Sequence, residues 1–263
     1  MKFDTEFVKV VNQKGLRLSA ELYKPQIRGK LPLVILLHGF TGYKEDVGLV
    51  DIAKRLAEKG IASLRFTQSG FGDSDGTLAS DYRFSNYRDD AEAIFRYIFE
   101  LSYVDITRIG VYGHSIGGKL AVLFCADHFD IRSFCVVSAP VSLVGTMYGL
   151  LQKEWEKTGY FEKISSRDGK IVKIPYAYFT DAESSKHDVL QAAHRIKHAQ
   201  ALVIAGKADR EVPWQETKKL YEALQCQKHL LVVDALVHKY KSDLSLMKQI
   251  HSSVIDFFVN TLV

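Results

Sequence analysis

Gly113-His114-Ser115-Ile116-Gly117 is the stretch on which the reading of this chain turns. Ahead of it, Arg108-Ile109-Gly110-Val111-Tyr112 has the make-up of a short buried strand. Behind it, Gly118-Lys119-Leu120-Ala121-Val122-Leu123-Phe124-Cys125-Ala126 reads as a helix packed on most sides. A serine between glycines at a strand-to-helix junction is a nucleophile elbow: the turn is sharp, the glycines admit neighbouring backbone, and the hydroxyl projects from the top of a sheet. The positive end of the following helix lies beneath such a serine. The same formula recurs at Gly72-Asp73-Ser74-Asp75-Gly76, but no strand leads into that copy and no apolar-periodic helix follows it, so it reads as a polar loop.

Outward from the elbow, Leu33-Val34-Ile35-Leu36-Leu37 is a continuous apolar run, as in a strand covered on both faces, and it leads into His38-Gly39-Phe40-Thr41-Gly42. Leu49, Ile52, Ala53, Leu56 and Ala57 recur at helical spacing up to a stop at Gly60. Further strands are expected at 61–66, 134–138, 201–205 and 230–233. Ala91, Ile94, Phe95 and Ile98 mark a helix with Asp89 and Asp90 suited to its first turn. Another helix begins near Pro213, and Leu244, Met247, Ile250, Val254, Phe257 and Phe258 mark the last. Residues 7–11 and 16–23 alternate like a half-exposed antiparallel hairpin around a turn at 12–15. Strand and helix alternate from residue 31 to the end, which predicts an α/β fold: a mostly parallel sheet with helices on both faces.

One interruption, at about 141–186, is too long for an ordinary loop and is expected to be a functional lid or binding excursion. It is rich in aromatic residues, and Asp168-Gly169 between two short segments predicts a small hairpin within it.

The chain has 263 residues, enough for a single domain with a large core. Its formal charge of +4 is mild, and without a Lys/Arg run it gives no reason to expect a nucleic-acid partner. The start, Met1-Lys2-Phe3-Asp4-Thr5-Glu6, has no apolar core of a signal peptide, and no apolar run approaches a membrane span. The three cysteines, Cys125, Cys135 and Cys226, read as thiols in a reducing, cytoplasmic setting rather than as a disulfide framework.

A serine hydroxyl needs a base, and the base an orienting acid. On a sheet of this kind the three follow in the order serine, acid, histidine, each after a strand. Asp209 follows the strand ending at Ala205, and His238 the strand ending at Val233, so the expected triad is Ser115, Asp209 and His238. Asp234 reads as a turn carboxylate, His229 and His251 as structural or solvated, and His187, His194 and His198 as surface residues. His38 reads as a loop brace and His114 as part of the elbow's shape. The tetrahedral oxyanion needs donors, assigned to the backbone N–H groups of Ile116 and Phe40.

With these residues placed, the chain resembles the α/β-hydrolase superfamily over nearly its whole length. Within it, His38-Gly39-Phe40-Thr41-Gly42, Arg65-Phe66 leading to the loop 70–76, and an insert holding a hairpin make it similar to the bacterial cinnamoyl (feruloyl) esterases. The resemblance implies one α/β-hydrolase domain over 1–263 with a cap at about 141–186. It also implies an intracellular serine esterase with no metal or organic cofactor, acting on hydroxycinnamate or other small carboxylic esters. Tyr148, Trp155, Tyr176 and Tyr178 are the expected substrate contacts, against the plainer reading that they form the insert's own core. A serine aminopeptidase or amidase, a lipase and a non-catalytic binding module stay open as alternatives. The oligomeric state stays open between monomer and homodimer.

Overall fold

The computed structural model describes residues 1–165 and 167–263. The strands are β1 (Phe3–Val11), β2 (Arg17–Pro25), β3 (Leu31–Leu37), β4 (Ala62–Phe66), β5 (Val104–His114), β6 (Ile131–Val137), β7 (Tyr160–Ile164), β8 (Ile171–Pro175), β9 (Gln200–Gly206) and β10 (Gln227–Val233). The helices are α1 (Val47–Glu58), α2 (Phe84–Glu100), α3 (Ile116–Asp127), α4 (Met147–Leu150), α5 (Gln152–Thr158), α6 (Ala177–Ala182), α7 (Val189–Arg195), α8 (Trp214–Ala223) and α9 (Leu244–Leu262).

Eight strands form one sheet in the order β1-β2-β4-β3-β5-β6-β9-β10. β1 and β2 are antiparallel, β2 meets β4 antiparallel, and the six strands from β4 to β10 run parallel. The expected fold class, a mostly parallel sheet with helices on both faces, is what forms. β3 shows why its sequence is apolar throughout: Leu33, Ile35 and Leu37 enter the core shared with α2 and α3, while Val34 and Leu36 enter the opposite core shared with α1 and α9. The expected first hairpin is less symmetric than its alternation implied. β1 is an edge strand and mostly exposed, whereas β2 is mostly buried because β4 covers its other edge.

Chain order positions the site. From β3 the chain passes through α1 to β4 on one side, then returns through α2 to β5 on the other. The loops after β3 and β5 therefore diverge at a switch point, which is where ligands meet open parallel sheets. The 141–186 excursion follows β6 and holds α4, α5, the antiparallel β7–β8 hairpin and α6. Gly169, at φ +70, turns the hairpin next to Asp168.

Helix ends follow local chemistry. Asp46 accepts hydrogen bonds from the Gly48 and Leu49 N–H groups at the start of α1, and Asp243 does the same for Ser245 and Leu246 at α9. α2 starts earlier than its apolar periodicity suggested, so Asp89 and Asp90 lie beyond its first turn. Asp90 is instead buried, accepting from Asn12 Nδ2 (2.7 Å) and Ser69 N (2.6 Å). It ties the first hairpin's turn to the loop after β4.

Candidate active site

Ser115 stands between β5 and α3 at φ 57°, ψ −122°, a backbone state that a residue with a Cβ seldom adopts. Such a state costs on the order of 1–3 kcal/mol and persists only where its surroundings enforce it. Here Ser115 N donates to Val137 O (2.9 Å), while Ser115 O accepts from Gly118 N (2.8 Å) and Lys119 N (3.0 Å). The flanking glycines are required by close approach. A methyl group on Gly117 would come within 2.6 Å of His38 O and closer still to Leu37 O, and one on Gly113 would strike the Gly117 carbonyl. Ser74, in the second copy of the formula, is a buried brace whose Oγ donates to Thr67 O (2.6 Å) and accepts from Ser19 N (2.9 Å).

The loops after β9 and β10 bring Asp209 and His238 to the same place. His238 Nε2 lies 3.0 Å from Ser115 Oγ, and His238 Nδ1 lies 2.8 Å from Asp209 Oδ2. Asp209 Oδ1 accepts from Glu211 N (2.9 Å) and Val212 N (2.8 Å), so the carboxylate's orientation is locked by its own loop. With Nδ1–H donating to the carboxylate, Nε2 is left as acceptor for the serine hydroxyl. Asp234 is remote from this chain of bonds: its side chain is 82% exposed and pairs with Lys207 at 2.8 Å.

The loop after β3 lies over the elbow. A Cβ on Gly39 would sit in van der Waals contact with Ser115 Cβ, at 3.4 Å, which brings this loop against the elbow. His38 Nε2 accepts from Gln68 N (3.2 Å), Nδ1–H donates to Gly39 O (2.9 Å), and the ring stacks on Tyr87. Burial pushes this imidazole down to about 4, so it braces the loop as a neutral ring. Thr41, at φ 57°, donates its N–H to the Tyr82 hydroxyl (2.6 Å) and its Oγ1–H to Phe40 O (2.6 Å). Phe40 N–H has no acceptor among the described residues. The Ile116 N–H, opening α3, has none within its helix.

A cavity of about 470 Å3 opens in front of Ser115 and His238. Of the four aromatic residues expected to contact substrate, it is lined by Tyr148 alone. Trp155, Tyr176 and Tyr178 are not in its wall. Tyr178 is fully buried between Phe40 and Tyr82, and Trp155 donates its indole N–H to Ile174 O (2.9 Å) and packs on Phe161 and Phe179. Tyr176 stacks on Phe179, and its hydroxyl accepts from Gln152 Nε2 (3.1 Å). Trp155 and Tyr176 form the insert's own core with Phe161 and Phe179, while Tyr178 packs the insert onto Phe40 and Tyr82 of the hydrolase body. The histidines off the site also separate. His251 is buried, bonded to Asp51 and to the Tyr240 hydroxyl, and His187 is buried against Phe84, not on the surface as expected. Among the described residues no group of three or more His, Cys, Asp or Glu side chains is arranged to hold a metal ion.

A family model described as serine aminopeptidase, S33 matches residues 30–167. This chain belongs to that family of α/β-hydrolases. Over 236 residues the hydrolase is 28% identical to an uncharacterized 31.7 kDa protein in the traX-finO intergenic region of Escherichia coli, covering 76% of this chain and 80% of that one. It is 26% identical over 206 residues to the mitochondrial palmitoyl-protein thioesterase ABHD10 of Mus musculus, covering 76% and 66%. Among solved structures it superposes on Est1E from Butyrivibrio proteoclasticus with ferulic acid bound, at a TM-score of 0.76 and 24% identity, over 97% of this chain and 98% of that one. At that identity the likeness speaks for the fold, and it agrees with the resemblance read from the sequence.

The hydrolase has further cavity residues that the sequence reading missed. Lys163 from β7, Glu211 two residues past Asp209, and Lys239 and Lys241 past His238 all face the cavity. The last three lay within reach of a rule: residues just beyond an acid or a base after a strand share its mouth. Lys163 had a fainter signal. On β7, Tyr160, Glu162 and Ile164 are exposed while Phe161 and Lys163 turn inward, so a lysine occupies the covered face of a hairpin strand. Among the described residues no helix is long and apolar enough to cross a membrane.

Proposed function

We propose that this hydrolase is a serine carboxylic-ester hydrolase that turns over small or aryl, hydroxycinnamate-type esters through an acyl-enzyme. The observation that carries the reading is the bond chain from Ser115 Oγ through His238 to Asp209, opening onto the cavity. Ser115 Oγ adds to the acyl carbon while its proton passes to His238 Nε2. The resulting oxyanion is met by the N–H groups of Phe40 and Ile116. Collapse expels the alcohol, which takes the proton from His238 and leaves the acyl group on Ser115. Water then attacks the acyl-enzyme, giving its proton to His238, and the Ser115 oxygen recovers that proton as the acid leaves. Asp209 holds Nδ1–H throughout and stabilises the imidazolium.

The cavity wall supports small or aryl acyl groups over long alkyl chains. Tyr148 and Phe40 give it aromatic faces, set edge to face with ring centroids 5.0 Å apart. Asp46, Lys163, Glu211, Lys239 and Lys241 also line it, and a long alkyl chain laid against their charged ends would strip water from ions without replacing it. A thioester would yield to the same steps, and the mouse relative is named for that chemistry. An aminopeptidase needs a free carboxylate for the substrate's ammonium group. The cavity's two acids, Asp46 and Glu211, are already paired with Lys241 (2.7 Å) and Lys239 (3.4 Å).

The 141–186 excursion serves as a cap on a single α/β-hydrolase domain in this reading. Its β7 reaches Phe40 through Lys163, Arg167 beyond β7 pairs with Asp73 (2.6 Å), and Met147 N bonds Glu211 O (2.8 Å). The test is a panel of aryl, short-chain and long-chain esters, a long-chain thioester and an aminoacyl amide, with wild type against S115A. The expected order is aryl and short-chain esters first, with nothing above background in S115A. A preference for the amide or for long chains, or full activity in S115A, would overturn the reading.

A further inference from the structure

The cavity's charges do not cancel. Lys241 is matched by Asp46 and Lys239 by Glu211, each within ion-pair distance. Lys163 is left over. Its Nζ lies 3.4 Å from Phe40 O, a long hydrogen bond, and 5.1 Å from the Phe40 ring, and no carboxylate among the described residues lies within ion-pair distance of it. A cation half-removed from water with one weak partner is costly unless something else pairs with it. Its place is also specific. It bonds the carbonyl of Phe40, the residue assigned as an oxyanion donor, and lines the same cavity as Ser115, so a group bound to Nζ shares that cavity with an acyl group on Ser115.

We propose that Lys163 makes this cavity a site for a carboxylate on the acyl group, so that the preferred substrate is an ester whose acyl chain ends in an anion. The proposal rests on the ester-hydrolase reading of Ser115 and names its substrate class. A lysine ammonium is a compact point charge with three donors. With one donor spent on Phe40 O, two remain for a carboxylate's two oxygens. Burial lowers the Lys163 ammonium to about 8, with Glu211 pulling the other way, so it stays mostly protonated at neutral pH and a bound carboxylate would hold it so. Neutral and cationic acyl chains lack the partner this site asks for, and a cationic one would face a net positive wall.

Three para-nitrophenyl esters that differ only at the far end of the acyl chain test this: the hemiglutarate, its methyl ester, and the trimethylammonio-butanoate. Wild type should favour the hemiglutarate over the neutral ester by about 10- to 100-fold in kcat/KM, the range expected of a charged hydrogen bond. In K163M that ratio should fall towards one, and K163R should keep most of it. Thermal melts establish that each variant is folded. Equal rates for the three esters in wild type, a preference for the cationic ester, or an anion preference that survives K163M would overturn the proposal. Calorimetric titration of monomethyl glutarate into S115A and S115A/K163M reads the site without turnover. Lys163-dependent binding with no ester hydrolysis would leave the anion site standing and remove the ester-hydrolase reading; hydrolysis with no Lys163-dependent binding would do the reverse.

Discussion

Asp209 Oδ2 accepts the Nδ1–H of His238 at 2.8 Å, while its other oxygen is held by two backbone N–H groups of its own loop. The imidazole is thereby fixed in the tautomer that presents a bare Nε2 to Ser115. D209N would keep the shape and offer an amide that can hold the wrong tautomer. The expected loss in kcat is on the order of 10⁴-fold, as for the equivalent change in a serine protease. D234N, at an exposed side chain paired with Lys207, should stay within about twofold of wild type, as surface changes generally do. Comparable losses in both variants, by initial rates on an aryl ester, would refute this assignment of the acid.

Ser115 bears backbone strain as well as the hydroxyl. S115A and S115G both lack Oγ, so their difference in stability isolates the left-handed backbone at φ 57°. S115G should be the more stable by about 1 kcal/mol, because glycine adopts that conformation freely. Both should be inactive. Urea midpoints for the two variants decide it, and S115A matching or exceeding S115G would show that the turn is not strained.

Gly117 is dictated by contact, since its φ is not in the left-handed region. G117A would drive a methyl group into the carbonyls of Leu37 and His38, which are backbone and cannot rotate away. G169A has open space but the φ of +70 that L residues avoid, and should cost about 1 kcal/mol. G117A should cost well over that, with activity falling because the Phe40 loop is pushed off the elbow. Similar melting temperatures for the two variants would contradict the close approach.

His38 makes stability depend on acidity. Its pKa is about 4 when folded, against about 6.5 for an unfolded chain, so on acidification the unfolded state takes the proton first. The contribution is whole above about pH 6.5 and drains away as pH falls towards about 4, at roughly 1.4 kcal/mol per pH unit well inside that window. Buried His114 is lowered in the same sense, whereas Asp90, raised by burial, works in the opposite one. The informative quantity is therefore the difference between wild type and H38N. Unfolding free energies measured from pH 7.5 to 4.5 should fall less steeply in the variant. Parallel curves would show that His38 is not held neutral.

The sheet and the three residues that line up on it were legible in the sequence. β3 is apolar at every position because both its faces are covered, and the elbow glycines are spaced for a turn that backbone must cross. Ser115, Asp209 and His238 could be named because each follows a strand, and a parallel sheet delivers the ends of its strands to one edge whatever lies between. What surrounds them was not legible there, because it depends on how distant elements pack. Tyr148 and Tyr178 are both insert aromatics with nothing local to tell them apart, yet one faces the cavity and the other is buried against Phe40. Lys163 meets Phe40 across 123 residues of chain. Its meaning lies in its lack of a carboxylate, while Lys239 and Lys241 have theirs. Periodicity reports which face of its own element a side chain takes. Which charge is left unmatched in a shared cavity depends on how separate elements dock, and no local pattern carries that.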